Sequence, residues 1–161
     1  MSDAEPPRPG EIAIELPEGF DAGLYFIGTI RTPWKTRAEC PKNPREAGGA
    51  ICTIELDARY APGLEGVASG SDIVVLYFMD RARRDLVLQV PRHSGKPSGT
   101  FALRSPVRPN PIAISVAKIV GIAGTHISVT GLDCLDGTPL IDLKPYRPAV
   151  DAVSTADENR R

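Results

Sequence analysis

Proline and glycine interrupt this sequence so often that they limit it to short secondary-structure elements. The 161 residues include 16 prolines and 15 glycines. Proline lacks the amide donor that a helix interior requires, and glycine lowers helix stability. The composition therefore predicts short strands joined by turns rather than a helical fold. The length is sufficient for one domain with a hydrophobic core.

Six stretches have the alternating or β-branched pattern of strands and are bounded by Gly, Pro or Asp. They cover residues 25–30, 50–56, 72–78, 85–90, 112–120 and 126–132. Residues 57–65 predict only a short helical turn, because they contain a Pro-Gly pair. Short strands in this number favour an all-β fold, an antiparallel barrel or sandwich. We expect a single domain over residues 11–148, a disordered tail over 1–10 and a flexible tail over 149–161.

Several observations favour a cytoplasmic protein without a membrane span, a disulfide or a metal site. The longest apolar run, residues 73–79, is far shorter than the roughly 20 residues that cross a bilayer. The first ten residues lack the apolar region of a signal peptide. Cys40, Cys52 and Cys134 are widely spaced and odd in number, without a CxxC pattern. They are therefore interpreted as reduced, buried thiols.

Positive charge is concentrated in one segment of a chain whose net charge is −1. Residues 81–108 contain seven Lys or Arg and one acidic residue, Asp85. Such a segment is a candidate phosphate-binding surface, because charge neutralisation supplies much of the affinity for nucleic acids. A solvated basic loop is the alternative. The seven residues are Arg81, Arg83, Arg84, Arg92, Lys96, Arg104 and Arg108.

Residues 103–115, LRSPVRPNPIAIS, combine three prolines with two arginines and an asparagine. Each proline fixes its own φ and pushes the preceding residue towards extended conformations. The segment is therefore a stiff loop that presents Arg104, Arg108 and Asn110 with little entropy to lose on binding. A plain connection between two strands is the alternative.

Residues 132–146, LDCLDGTPLIDLKPY, place three carboxylates around one bend. The DG pair predicts a turn, and the following Thr-Pro predicts an extended exit from it. Asp133, Asp136 and Asp142 can accept hydrogen bonds from neighbouring amides, or they can receive the amino group of a ligand.

Together these two motifs resemble the TrmO (TsaA-like) family of S-adenosylmethionine-dependent tRNA methyltransferases, which act on N6 of threonylcarbamoyladenosine beside the anticodon. IGTIRTPW at 27–34, CPKN at 40–43, the strand at 64–78 and the Pro-Arg pair at 91–92 extend the resemblance to about residues 25–148. It implies a small β-barrel that binds the cofactor without a Rossmann fold, as a homodimer. The sequence agrees, since no strand is followed by GxGxxG and a helix.

The resemblance assigns cofactor contacts to the turns and to the two motifs. Arg104 would pair with the cofactor carboxylate, and Asp80 or Asp136 would accept from its ammonium group or ribose hydroxyls. Backbone groups of Ile114 and the DGTP turn would read the adenine. The implied cofactor-binding residues are Pro41, Lys42, Asn43, Asp80, Arg81, Arg104, Ile114, Asp136, Gly137, Thr138 and Pro139.

The implied reaction is in-line methyl transfer to an exocyclic adenine nitrogen, in which the protein mainly aligns the reactants. No catalytic residue is identified, because the nitrogen can lose its proton after attack. If a base assists, the candidates are Asp136, Asp80 and His93, the last of which also reads as a solvated surface residue. The anticodon-loop phosphates of tRNA would be contacted by Arg83, Arg84, Arg92, Lys96 and Arg108.

The sequence departs from the family pattern at four positions. Lys42 and Asn43 replace an Arg-Gln pair, Asp80 replaces a His, and Ala113 replaces a Gly. The C-terminal extension of longer members is expected to be absent. Two alternatives to the tRNA methyltransferase therefore stay open, a non-catalytic RNA-binding barrel and an S-adenosylmethionine-dependent methyltransferase with another substrate.

Overall fold

Short strands account for most of the regular structure in the computed structural model, which describes residues 6–43 and 47–152. The strands are β1 (Ile12–Ala13), β2 (Gly28–Arg31), β3 (Ile51–Leu56), β4 (Asp72–Phe78), β5 (Leu86–Gln89), β6 (Ser98–Gly99), β7 (Ile112–Ala123), β8 (His126–Thr130) and β9 (Thr138–Pro145). Turns of 3-10 helix lie at Ala58–Leu64 and Thr100–Ala102, and a helical turn, α1, lies at Pro148–Asp151. Residues 1–5 and 153–161 of the two predicted tails lie outside the described residues.

Six strands close into an antiparallel barrel in the order β2-β3-β8-β7-β4-β9, and β9 pairs back onto β2. This confirms the predicted all-β barrel. Each of the six predicted strands is present, with ends that differ by a few residues. The predicted helical turn is also confirmed, and the Asp57 carboxylate caps it by accepting from the Arg59 amide.

The barrel interior is filled by alternate side chains of every wall strand. On β7 the inward positions are small or aliphatic and largely buried, whereas the positions between them are exposed. Ile30, Ile54, Ile127 and Leu140 are fully buried in this core. β-branched residues predominate there because they pack well on a pleated surface.

The three cysteines are free, as predicted, and they contribute to the interior to different extents. Cys52 and Cys134 are buried in the core, whereas Cys40 is half-buried. Burial raises the pKa of Cys52 to about 11 and that of Cys134 to about 12. Both buried thiols are therefore protonated at neutral pH, which makes them poor nucleophiles and poor metal ligands.

A second sheet, β1-β5-β6, was not predicted as such. β5 and β6 lie in the long connection between β4 and β7, and β1 pairs with β5. Arg8 reinforces that pairing, because its Nη2 donates to the Val90 carbonyl at 2.8 Å. Arg8 also binds Glu11 and, with the backbone amides that reach the same carboxylate, lowers the Glu11 pKa to about 2.

The strand directions bring three connections to one end of the barrel. Adjacent wall strands are antiparallel, so the described residues of the connections 32–43 with 47–50, 79–111 and 131–137 all emerge at that end. They contain every predicted cofactor and RNA contact except Ile114, Thr138 and Pro139, which lie in the first three residues of β7 and β9. Within the described residues, no helix is long and apolar enough to cross a membrane, and no cluster of His, Cys, Asp and Glu suits a metal ion.

Candidate functional site

Asp136 joins two of the connections at this end of the barrel. Its Oδ1 accepts from the Thr32 amide at 3.1 Å, and its Oδ2 lies 2.6 Å from Lys35 Nζ. The Asp136 amide donates to the Trp34 carbonyl at 2.8 Å. The hydrogen bond from Lys35 is the main cause of a lowered Asp136 pKa. An ionised carboxylate with these partners orients the turn, and its lowered pKa makes it a weak proton acceptor.

Further hydrogen bonds tie β2 and the connection after it to the connection before β9. Thr32 Oγ1 donates to the Cys134 carbonyl at 3.0 Å, and Cys40 Sγ donates to the Asp133 carbonyl at 2.8 Å. Gly137 has a φ of 83° and donates its amide to the Ile30 carbonyl at 2.9 Å. That left-handed torsion favours glycine at this position. Cys40, the first residue of the CPKN turn, is thus attached to the connection that leads into the DGTP turn.

The Tyr77 hydroxyl, buried inside the barrel, links the connection before β9 to β4 and β7. The Tyr77 hydroxyl donates to Asp133 Oδ1 at 2.8 Å and lies 3.0 Å from Ser115 Oγ. Tyr77 is only 2% exposed, and burial raises the pKa of its phenol, which stays protonated. Sequence reasoning missed Tyr77 and Ser115. Their signal is weak, since each is a polar residue at an inward position of an otherwise apolar strand.

The predicted contacts Arg104 and Ile114 are also brought together. Arg104 Nη2 donates to the Ile114 carbonyl at 3.2 Å, and the Arg104 side chain is exposed. The end of β4 lies beside the same loop, because the Met79 amide donates to the Pro111 carbonyl at 2.8 Å. The exposed residues Asp80 and Arg81 follow directly.

The five predicted RNA contacts fall into two groups. Arg83 forms a two-pronged ion pair with Asp85, at 2.8 Å for both oxygens, and Arg84 and Arg108 bind carbonyl groups of the RSPVRPNP loop. Arg92 and Lys96 are exposed on the turn between β5 and β6. His93 lies on that same exposed turn, and no described contact joins it to Asp136 or Arg104.

Comparison with known proteins finds a matching family and several similar proteins. Residues 29–152 match the family described as the tRNA-methyltransferase O N-terminal domain. The chain belongs to the TrmO family. A probable S-adenosyl-L-methionine-binding protein, VirR of Rhizobium radiobacter, is 48% identical over 140 residues, which are 87% of this chain and 79% of that protein. The resemblance predicted from the two motifs is therefore confirmed.

Two longer TrmO-type proteins are also similar. The tRNA (adenine(37)-N6)-methyltransferase of Escherichia coli is 33% identical over 141 residues, 81% of this chain and 60% of that protein. The crystal structure of TrmO from Pseudomonas aeruginosa superposes with a TM-score of 0.69 at 30% identity, covering 88% of this chain and 63% of that one. The present TrmO-family chain thus spans about three fifths of the length of these two relatives.

Proposed function

We propose that this chain binds S-adenosylmethionine and methylates N6 of threonylcarbamoyladenosine at position 37 of tRNA, in the cytoplasm. The observation that carries this proposal is the joining of the connection after β2 to the DGTP turn through Asp136, which accepts from the Thr32 amide and pairs with Lys35. Two of the relatives, a probable S-adenosyl-L-methionine-binding protein and a tRNA (adenine(37)-N6)-methyltransferase, support it.

The residues at the site suit the chemistry of this cofactor. Arg104 uses one of its donors on the Ile114 carbonyl and is otherwise exposed, so it can also bind a carboxylate. The exposed carboxylate of Asp80 can accept from an ammonium group or from ribose hydroxyls. Backbone groups of residues 137–139 are held by β9 pairing and can meet the edge of an adenine. The donor set therefore matches a zwitterionic amino acid attached to a nucleoside.

The protein's contribution to the reaction is alignment. When bound, S-adenosylmethionine supplies an electrophilic methyl group on a positive sulfur. The chain orients that group through two turns that are fixed to each other before any ligand arrives, which lowers the entropic cost of the reactive geometry. Neither Asp136, with its lowered pKa, nor the protonated Tyr77 is suited to accept a proton. The adenine nitrogen would therefore release its proton, to water or to the exposed carboxylate of Asp80, after the new nitrogen–carbon bond has formed and the carbon–sulfur bond has broken.

Exposed basic residues near the site would contact the tRNA backbone. Arg81, Arg92 and Lys96 have exposed side chains on the 79–111 connection. Arg83 is largely neutralised by Asp85 and would contribute less. Phosphate contacts of this kind make binding salt-dependent, with a slope that rises with the number of contacts.

We further propose that the chain forms a homodimer through the outer face of β7. That face has five exposed aliphatic side chains, which is unusual for the wall of a monomeric barrel. A groove of about 540 Å³ adjoins it, between Leu76, Ile114 and Val150. The five residues are Ile112, Ile114, Val116, Val120 and Ile122.

Sedimentation velocity tests the dimer. Wild type is expected to sediment as a dimer, and Val116→Glu as a monomer. Ile51→Glu is the control, because Ile51 is an exposed aliphatic residue on β3 instead. A monomeric wild type would refute the dimer.

Two measurements test the methyltransferase. Calorimetry with S-adenosylmethionine should give a saturable binding curve. Incubation with unmethylated tRNA and labelled cofactor, followed by nucleoside mass spectrometry, should place the label on threonylcarbamoyladenosine. Cofactor binding with label on a different nucleoside or molecule would indicate another substrate. RNA binding without cofactor binding would indicate a non-catalytic RNA-binding barrel.

A further inference from the structure

Alternate carbonyl groups of the RSPVRPNP loop all accept hydrogen bonds, and most of the donors are side chains. Prolines at 106, 109 and 111 remove three amide donors from this short loop, so its own backbone amides cannot satisfy all its carbonyls. Arg108 Nη1 donates to the Leu103 and Ser105 carbonyls at 3.3 and 3.2 Å. The buried Gln89 donates to the Val107 carbonyl at 2.7 Å.

Arg84 binds the next carbonyl in this series, and its guanidinium makes contacts both in its plane and on its face. Its Nε donates to the Pro109 carbonyl at 2.5 Å, and its Nη2 donates to Asn110 Oδ1 at 3.2 Å. The guanidinium carbon lies 5.1 Å from the centroid of the Phe20 ring. A planar guanidinium suits this double use, because it donates in its plane and stacks on its face.

Phe20 lies outside the part of the chain that matches the family, which begins at residue 29. Its ring is 81% exposed, so the hydrophobic core does not account for its position. In the described part of the chain, the Phe20 ring stacks on the Arg84 guanidinium. A segment that precedes the family domain thus contacts Arg84, which in turn binds the loop that contains Arg104.

The Pro109–Asn110 bend is coupled to the predicted cofactor contacts. The Asn110 carbonyl accepts from the Ile112 amide at 2.8 Å, which sets the start of β7. Ile114 follows two residues later, and its carbonyl holds Arg104. A shift of the bend would therefore move both Arg104 and Ile114.

We propose that Arg84, backed by Phe20, is a positioning residue for the S-adenosylmethionine site rather than a contact for RNA phosphates. This inference rests on the cofactor binding proposed above. Arg84 holds the Pro109–Asn110 bend so that Arg104 and Ile114 are already in place when the cofactor arrives. Its positive charge is used inside the protein, although its position in the basic segment predicted a phosphate contact.

Matched variants separate the two roles. Arg84→Gln keeps a donor but loses the fork and the stacking face, so Kd and KM for S-adenosylmethionine should rise roughly tenfold. The kcat at saturating cofactor and the salt slope of tRNA binding should stay unchanged. The control Arg92→Gln, at an exposed position, should lower the salt slope by about one and leave the cofactor Kd unchanged.

Phe20→Leu provides a second test, because Phe20 is too exposed for its loss to unfold the protein. It should raise the cofactor Kd roughly threefold through the lost stacking contact. Wild-type cofactor affinity in both Arg84→Gln and Phe20→Leu, or a salt slope that falls in Arg84→Gln as in Arg92→Gln, would overturn the inference. If Arg84→Gln does not fold, the cofactor Kd of Phe20→Leu alone decides between the positioning role and a phosphate contact. A wild-type chain that gives no calorimetric binding would instead overturn the proposed function, and the inference with it.

Discussion

Lys35 Nζ and Asp136 Oδ2 lie 2.6 Å apart and join two turns that are separated by 101 residues in the sequence. The pair is part of the candidate cofactor site, and it also fixes the connection that follows β2 to the connection that precedes β9. Its contribution should therefore be visible in stability as well as in binding.

Asp136→Asn should lower the free energy of unfolding at pH 7 by about 0.5–1 kcal/mol, because the ion pair is lost while an acceptor for the Thr32 amide is kept. The pKa of Asp136 is lowered in the folded protein, so its contribution is complete above the ordinary carboxyl pKa. This contribution disappears as the pH falls through the lowered pKa of Asp136 in the folded protein. Urea titrations from pH 7 to about pH 3 should show that the difference in free energy of unfolding between wild type and Asp136→Asn shrinks at the acid end. A stability difference that is constant over this pH range would contradict a stabilising ion pair between Asp136 and Lys35.

Tyr77→Phe should cost about 1–2 kcal/mol of stability, because it leaves Ser115 and Asp133 without their shared partner inside the barrel. Tyr60→Phe is the control, since no described hydrogen bond uses the Tyr60 hydroxyl. Chemical denaturation of the two variants measures the difference. Equal effects would show that the buried hydroxyl contributes nothing specific.

Gly28→Ala should destabilise the barrel by about 2–4 kcal/mol. A Cβ at this position would lie 2.3 Å from the Glu55 carbonyl oxygen and 3.0 Å from the Leu56 Cα, both backbone atoms of the paired strand. Gly63→Ala has no atom within 4 Å of the new Cβ and serves as the control. Thermal melts should show a large loss for the first variant and little change for the second.

Arg104→Ala should weaken S-adenosylmethionine binding by about 1–3 kcal/mol if its guanidinium pairs with the cofactor carboxylate. Arg104 is exposed, so the free energy of unfolding should change little. Calorimetry on Arg104→Ala and Arg104→Lys measures the effect, and lysine should restore part of the affinity. Unchanged affinity in the alanine variant would remove Arg104 from the site.

Iodoacetamide at pH 8 should label Cys40 before Cys52 and Cys134 in the native protein. Cys40 is half-buried, whereas the other two lie in the core and have pKa values raised to about 11 and 12. Alkylation proceeds through the thiolate, which both buried residues lack at this pH. Peptide mass spectrometry gives the order in which the three cysteines are labelled. In denaturant the three should be labelled at equal rates. Early labelling of Cys134 would indicate that the barrel opens at that end.

The wall strands could be predicted because their side chains alternate and the flanking turns contain glycine, proline or aspartate. β9 was not predicted, because prolines such as those at 139 and 145 lack an amide donor and argue against a strand when only the local sequence is considered. In the barrel, Pro139 lies opposite Thr29, and Pro145 lies opposite Ile73. Each proline lies where β9 has one partner strand only, because residues 138–140 pair with β2 and residues 140–145 pair with β4. The missing amide donor of each proline therefore need not interrupt a ladder of hydrogen bonds.

The candidate site was predictable to the extent that its chemistry lies in contiguous motifs. RSPVRPNP and LDGTP indicate their own turns, but Tyr77 meets its partners only across 38 and 56 residues of sequence. The same limit applies to Arg84, whose charge alone indicates a phosphate contact. Its carbonyl partner is 25 residues away and is fixed by the fold.

Closure of the six-stranded wall restricts how another molecule can engage it. Every wall strand pairs on both sides over part of its length, but residues 112–117 of β7 and residues 141–145 of β9 pair only with β4. Among the described wall residues, a foreign strand could therefore be added only at short runs such as these, and recognition elsewhere along the wall must depend on side chains. Sequence changes on the outer face of β7 would therefore alter the proposed dimer contact without disturbing the hydrogen bonds that hold the barrel together.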